Sequence, residues 1–172
     1  MSESEYLAFV SPIIDKIFRF SKRLLVSREE AEDATQDVLL KLWKSRKRLS
    51  DYNNPGAFAM TITKNHCLDR LRSRQAQNLR ITHENYHNCK AASLQTKIET
   101  SDSISLIEKL INILPEKQQL IVQLRDVECY DFKEISKILD MKETAIRVAL
   151  SRARKTLKTQ LNQLHNHGIK KN

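Results

Sequence analysis

The chain is poor in the residues that break helices and close hairpins: its 172 residues hold two glycines and three prolines. A sheet protein of this length needs more turn glycines, and no alternating run bounded by hairpin dipeptides is present, so the expected class is all-α. The cysteines Cys67, Cys89 and Cys129 are odd in number and widely spaced, which excludes a disulfide framework and leaves free thiols. No run reaches the roughly eighteen apolar residues that a transmembrane helix needs. The start, MSESEYLAFVSP, has acidic residues in place of a positive n-region and no apolar h-region, so it does not read as a signal peptide and a cytoplasmic location is expected.

Chemistry-bearing patterns are equally scarce. There is no glycine-rich phosphate loop, no nucleophile elbow, and no carboxylate and histidine set at a recognisable spacing, so the chain is not expected to be an enzyme or to hold a cofactor. His83, His87 and Cys89 offer three zinc ligands on paper, but a structural site needs a fourth, and none is paired nearby. A solvated polar segment that happens to contain histidines is the simpler account, and no metal is expected.

Charge is what the chain does have. The formal net charge is +9, which points to a polyanionic partner, either nucleic acid or an acidic membrane surface. It divides as +4 over residues 1–74, zero over 75–103 and +5 over 104–172. The neutral middle is rich in Asn, Gln, Ser and Thr and has few large apolar residues, so it buries too little surface to offset its ordering entropy. Two small helical domains, 1–74 and 104–172, joined by a flexible linker over 75–103 with room for short helical turns, are the expected organisation.

The stretch from Asp131 to Lys158 carries the most information. Asp131 and Glu134 have the spacing of a capping box, with Phe132, Ile135, Ile138 and Leu139 forming the apolar face of a short helix. About four residues, Asp140 to Glu143, then lead to a second helix. There Ile146, Leu150, Ala153 and Leu157 form a narrow core-facing seam. Arg147, Ser151, Arg154 and Lys158 repeat that spacing one residue later, and Arg152 and Lys155 widen the basic flank. A helix packed on one side and basic on the other can enter a DNA major groove, and the pair has the layout of a helix-turn-helix. The turn lacks a glycine, so Asp140 or Lys142 has to carry any unusual backbone angle. An ordinary helical hairpin with a solvated basic face has the same pattern.

In the first block, Ser27 and Glu30 have capping-box spacing at the head of a helix reading SREEAEDATQDVLLKLWKSRKRL. Ala31, Ala34, Val38 and Leu42 make its apolar face, broadened by Leu39 and Trp43, while Glu32, Asp33, Gln36 and Asp37 gather on another. The helix dipole accounts for acids in the first turn, but Gln36 and Asp37 lie deeper, so a contact surface for a protein partner explains them better. After SDYNNPGAF, in which Asn54 can cap and Pro55 can take the first helical position, a further helix offers Phe58, Ile62, Leu68 and Leu71 for packing. Thr61, Lys64, Asn65, Arg70, Arg72 and Arg74 are its exposed positions, and beside an amide-rich loop they could hold unstacked bases and phosphates.

AEDATQDVLLKLW, AFAMTITKNHCLDRLR and LPEKQQLIVQLRDVECYDFKEISKILDMKETAIRVALSRARKTL, in that order, closely resemble the extracytoplasmic-function group of bacterial sigma factors in the sigma-70 family. The resemblance implies sigma domain 2 followed by sigma domain 4, in a factor that directs core RNA polymerase to promoters. Glu32, Asp33, Gln36, Asp37 and Leu40 would then meet the clamp helices of the largest polymerase subunit, and domain 4 the flap of the second subunit. The loop Ser50 to Asn54 matches the family's specificity loop, which receives a flipped minus-10 base. Asp51, Asn53, Asn54, Thr61, Lys64, Arg70 and Arg72 would be the minus-10 residues. Arg147, Val148, Ser151, Arg152, Arg154 and Lys155 would serve the minus-35 element. Phe58 stands where the family often has Trp, and Ala149 where many relatives have a polar residue, so its methyl could touch a thymine methyl. An anti-sigma factor is a further partner that the family implies. Competing readings are an autonomous helix-turn-helix regulator and a nonspecific RNA-binding or nucleoid protein, but neither gives the acidic helix face a role.

Overall fold

The computed structural model describes residues 1–25, 27–49, 52–84 and 102–169, and among these it contains nine α-helices, one π-helical turn and no strand. Helix α1 (Glu3–Val10) opens on a reciprocal capping box in which Ser2 Oγ accepts from the Glu5 amide and Glu5 accepts from the Ser2 amide. Pro12 lies just beyond its end and cannot continue the hydrogen-bond ladder. Helix α2 (Ile14–Leu24) buries Ile17, Phe20, Ser21 and Leu24 on one face, which packs against α3 and α5. The Tyr6 hydroxyl donates to the Leu39 carbonyl at 2.8 Å and its ring meets Trp43 edge-on at 5.0 Å, tying α1 to α3.

Helix α3 (Arg28–Lys44) buries the expected Ala31, Ala34, Val38 and Leu42, and adds Thr35, whose hydroxyl donates back to the Ala31 carbonyl at 2.7 Å. Two expectations need correcting. Ser27 caps the helix through the Glu30 amide, but Glu30 does not reciprocate; its carboxylate is taken by Arg74 of α5. The helix also stops short of Leu49. Ser45 turns its hydroxyl onto the Lys41 carbonyl, a local bond that competes with the ladder, and the chain restarts as α4 (Arg46–Leu49).

Helix α5 (Pro55–Glu84) starts as read, with the Ala57 amide donating to the Asn54 side-chain oxygen at 2.9 Å. Its most buried positions are Ala57, Ala59, Met60, Thr63 and Cys67, whereas Phe58, Ile62, Leu68 and Leu71 are half-buried. The helix is packed by α2 and α3 and also by α8, so small residues that admit close approach lie deepest. It also runs ten residues past the expected domain limit at 74. Cys67 is a buried free thiol whose pKa burial raises, which disfavours the reactive thiolate, and Cys129 is an exposed one. His87 and Cys89, and the side chain of His83, lie outside the described residues.

The second block comprises α6 (Asp102–Asn112), α7 (Glu116–Val122), a π-helical turn (Gln123–Val127), α8 (Phe132–Leu139) and α9 (Glu143–Ile169). Backbone helix in α9 continues to Ile169. Ile146, Leu150 and Ala153 are buried and Leu157 half-buried, so the seam faces inward as its spacing requires. The two blocks do not stand apart. Ile17 and Phe20 belong to the same buried cluster as Ile121, Ile135 and Ile146, and α8 packs on α5.

Candidate nucleic-acid interface and its acidic counterpart

The α8–α9 unit is built from local rules. Asp131 and Glu134 form the full capping box, with bonds of 2.7 and 2.6 Å, and Ile135 and Ile138 drive α8 into the core. Three residues separate the helices, since Glu143 already belongs to α9. Asp140 takes the left-handed conformation at φ 55°, the role a glycine often fills, and a short polar side chain tolerates it. Ser136 closes the turn by donating to the Met141 carbonyl at 2.6 Å, while its own carbonyl accepts the Met141 amide at 3.1 Å.

On α9, Arg147, Val148, Ser151, Arg152, Arg154 and Lys155 are all exposed. They are not equivalent. The Arg147 guanidinium lies 3.9 Å from the Phe132 ring centroid and 3.7 Å from Glu143, so packing and charge hold it before any ligand arrives. Arg154 makes a two-pronged ion pair with Asp126 on the π-helical turn, and that hydrogen bonding raises its pKa further. Val148 is 51% exposed in the middle of the basic face, available to a thymine methyl. Ala149, read as a candidate for that contact, is half-buried and packs against the core.

Glu32, Asp33, Gln36, Asp37 and Leu40 form one exposed face of α3. Its charge is partly met by α5: Arg70 lies 3.7 Å from both Asp33 and Asp37. Arg70 therefore sits beside the acidic face, whereas Arg72 lies 3.7 Å from Asp69 on its own helix. His66 completes this cluster. Its Nδ1 is 2.7 Å from the Lys41 ammonium, and its Nε2 is 3.2 Å from Asp37 Oδ2 without hydrogen-bond alignment.

Partial burial, reinforced by Lys41, lowers the His66 pKa below its ordinary 6.5. The unfolded chain then takes up this proton before the folded one. The stabilisation is complete above about pH 6.5 and is lost as pH falls through the lower folded value. We expect the melting temperature to drop between about pH 7 and 5, and to drop less in His66→Gln. Equal drops in the two proteins would assign the dependence to other groups.

In the loop before α5, Asn53 is exposed, and the Asn54 side chain is engaged at both ends, its oxygen as the cap and its nitrogen on Glu134 of α8. Thr61 donates to the Ala57 carbonyl at 3.0 Å, and Lys64 is half-buried. Ser50 and Asp51 lie outside the described residues. Sequence reasoning passed over Tyr52, 42% exposed and stacked on Phe58 at 3.9 Å, a ready platform for a base. An aromatic in an amide-rich loop was the signal for it. It also passed over Arg19 and Glu128, 109 residues apart, which pair across the two blocks with no local signal.

The Sigma-70 region 2 family matches residues 9–77, and Sigma-70 region 4 matches residues 104–157. The ECF RNA polymerase sigma factor SigE of Mycolicibacterium smegmatis is 27% identical over 152 residues, which cover 86% of this chain and 58% of that protein. The chain therefore spans little more than half the length of this curated relative. In fold it is similar to the sigma factor RpoE of Bartonella quintana, solved with the anti-sigma factor NepR, at a TM-score of 0.72 and 20% identity over 92% of this chain and 97% of that one. CnrH, solved with the cytosolic domain of CnrY, gives 0.63 and 16% over 94% and 90%. Among the described residues there is no helix long and apolar enough to cross a membrane and no His, Cys, Asp and Glu group able to hold a metal ion.

Proposed function

The chain belongs to the sigma-70 family, and from that premise we propose that it is a transcription initiation factor of the extracytoplasmic-function group, which joins core RNA polymerase and directs it to promoters. The observation that carries this is the order of the two family regions on one chain, the first bearing an exposed acidic helix face and the second an exposed basic helix. An autonomous helix-turn-helix regulator uses only the second.

In this reading residues 1–74 act as domain 2, 75–103 as the connection and 104–172 as domain 4. The acidic face of α3 docks on the clamp helices of the largest polymerase subunit, with domain 4 on the flap of the second. Asn53, Asn54 and Asp51 take the minus-10 base, while Thr61, Lys64, Arg70 and Arg72 follow the strand. Tyr52 joins them as a stacking surface. Arg147, Val148, Ser151 and Arg152 read the minus-35 duplex, with Arg154 and Lys155 nearer the phosphates. The protein works in the cytoplasm as a binding factor without catalytic activity of its own, and an anti-sigma factor restrains it.

Run-off transcription with core RNA polymerase and a pool of host genomic fragments tests this. Initiation that needs the protein and starts at a shared two-element promoter is expected. Tight operator binding by the protein alone, with no initiation, would replace the reading by the autonomous regulator.

The acidic face has its own test. Asp37 has a side chain 53% exposed, so Asp37→Ala should leave the melting temperature nearly unchanged while weakening core polymerase capture about tenfold. Undiminished capture in a pull-down would remove Asp37 from the interface.

A further inference from the structure

His66 of α5 stands at the edge of the acidic face of α3, with a side chain only 12% exposed. Its Nδ1 is 2.7 Å from the Lys41 ammonium. An ammonium has protons to give and no lone pair, so Nδ1 is the acceptor and the ring proton sits on Nε2. That nitrogen is buried, without an aligned partner of its own, 3.2 Å from Asp37 Oδ2. One neutral ring thus joins the lysine and the carboxylate of neighbouring turns of α3, and the geometry permits a single tautomer.

A second ring proton cannot be added in place. It would go on Nδ1 and point at the ammonium, two donors and two like charges with nothing to accept between them. Lys41 would have to leave the ring. The acids of the face are Glu32, Asp33 and Asp37, and Arg70 already lies 3.7 Å from the last two, so an imidazolium adds a second cation beside them. An acidic docking face selects a cationic partner, and each positive charge gathered on it opposes that partner. Helices α2 and α8 also pack on α5, but their charges turn elsewhere: Arg19 to Glu128, Lys22 toward Glu108, Arg23 to Asn112 and Glu134 to Asn54. The groups that govern the ring are therefore Lys41, Asp37 and Arg70. Burial first, then Lys41 and Arg70, disfavour the charged ring, and Asp37 opposes them without prevailing.

We propose that His66 is a positioning residue for polymerase docking: its neutral ring holds Lys41 and leaves the acidic face of α3 open to a cationic partner, and a proton taken up by the ring releases Lys41 and weakens docking. This rests on the reading of that face as the polymerase contact. It adds a residue from another helix, outside the face itself, and a dependence on pH.

Binding of core RNA polymerase to the labelled full chain, followed by anisotropy from about pH 7.5 down to about pH 5.5, tests this. Wild type should lose about threefold to tenfold more affinity over that span than His66→Gln, whose amide can accept from Lys41 and face Asp37 but takes up no proton. At the upper end His66→Leu, which fills the space without an acceptor, should bind severalfold more weakly than wild type, and His66→Gln should restore most of that loss. Lys41 is exposed, so Lys41→Met keeps the fold and stands in if His66→Leu does not fold. With the opposing ammonium gone, its loss of affinity should set in at higher pH than in wild type. Parallel curves for wild type and His66→Gln, or a Lys41→Met curve whose midpoint does not move, would overturn the proposal. No binding of core by wild type at any pH would instead sink the polymerase reading, and the proposal with it.

Discussion

Arg147→Ala is expected to reduce affinity for the minus-35 duplex in holoenzyme by roughly tenfold to a hundredfold, while affinity for random duplex changes little. An arginine that donates both prongs to guanine O6 and N7 contributes about 1 to 3 kcal/mol of discrimination, whereas phosphate contacts position the protein without reading sequence. Arg147 is exposed, yet the Phe132 ring and Glu143 already hold its guanidinium, so less side-chain entropy remains to be lost on binding. Lys155→Ala serves as the contrast: it should weaken specific and random duplexes alike and flatten the salt dependence. Anisotropy titrations on the two duplexes at two salt concentrations separate the variants. Equal losses on both duplexes for Arg147→Ala would make it a phosphate contact.

The largest effect on stability is expected at Phe20. Its side chain is fully buried on α2, the helix that packs against α3, α5 and α7, so truncation leaves a cavity that no single neighbour can fill. Phe20→Ala should cost about 3 to 5 kcal/mol, the transfer free energy of the ring plus the cavity term. Leu7, 58% exposed on α1, provides the control, since Leu7→Ala should stay within about 0.5 kcal/mol of wild type. Urea unfolding of the three proteins measures both. A loss under about 1 kcal/mol at Phe20 would mean that α2 contributes little to the cooperative core.

Helix α9 shows how far periodicity reaches. Ile146, Leu150 and Ala153 announce a buried seam by spacing alone, and Asp131 and Glu134 announce where α8 begins, because capping chemistry acts within a few residues, while the choice between Asp140 and Lys142 for the left-handed turn residue fell to Asp140 only in the structure. Helix α5 shows the limit. Phe58 and Ile62 are the larger side chains, but Met60, Thr63 and Cys67 lie deepest, because which stripe is buried depends on the three helices that surround it. Ser45 and Glu30 mark the same limit in α3, where one local bond and one distant arginine overrode a regular pattern.

The sequence by itself determined an all-helical chain with two basic blocks, an acidic face on α3 and a basic face on α9, since side-chain spacing and charge order are properties of the chain. The tertiary structure alone decided which of those charges stand free. It placed Arg70 and His66 against Asp37, Arg154 against Asp126, and Arg19 against Glu128, with Glu134 over the loop before α5. These pairs span 28 to 109 residues, and the packing of apolar faces sets them. A buried charge finds its partner wherever that packing delivers one, which no local pattern records.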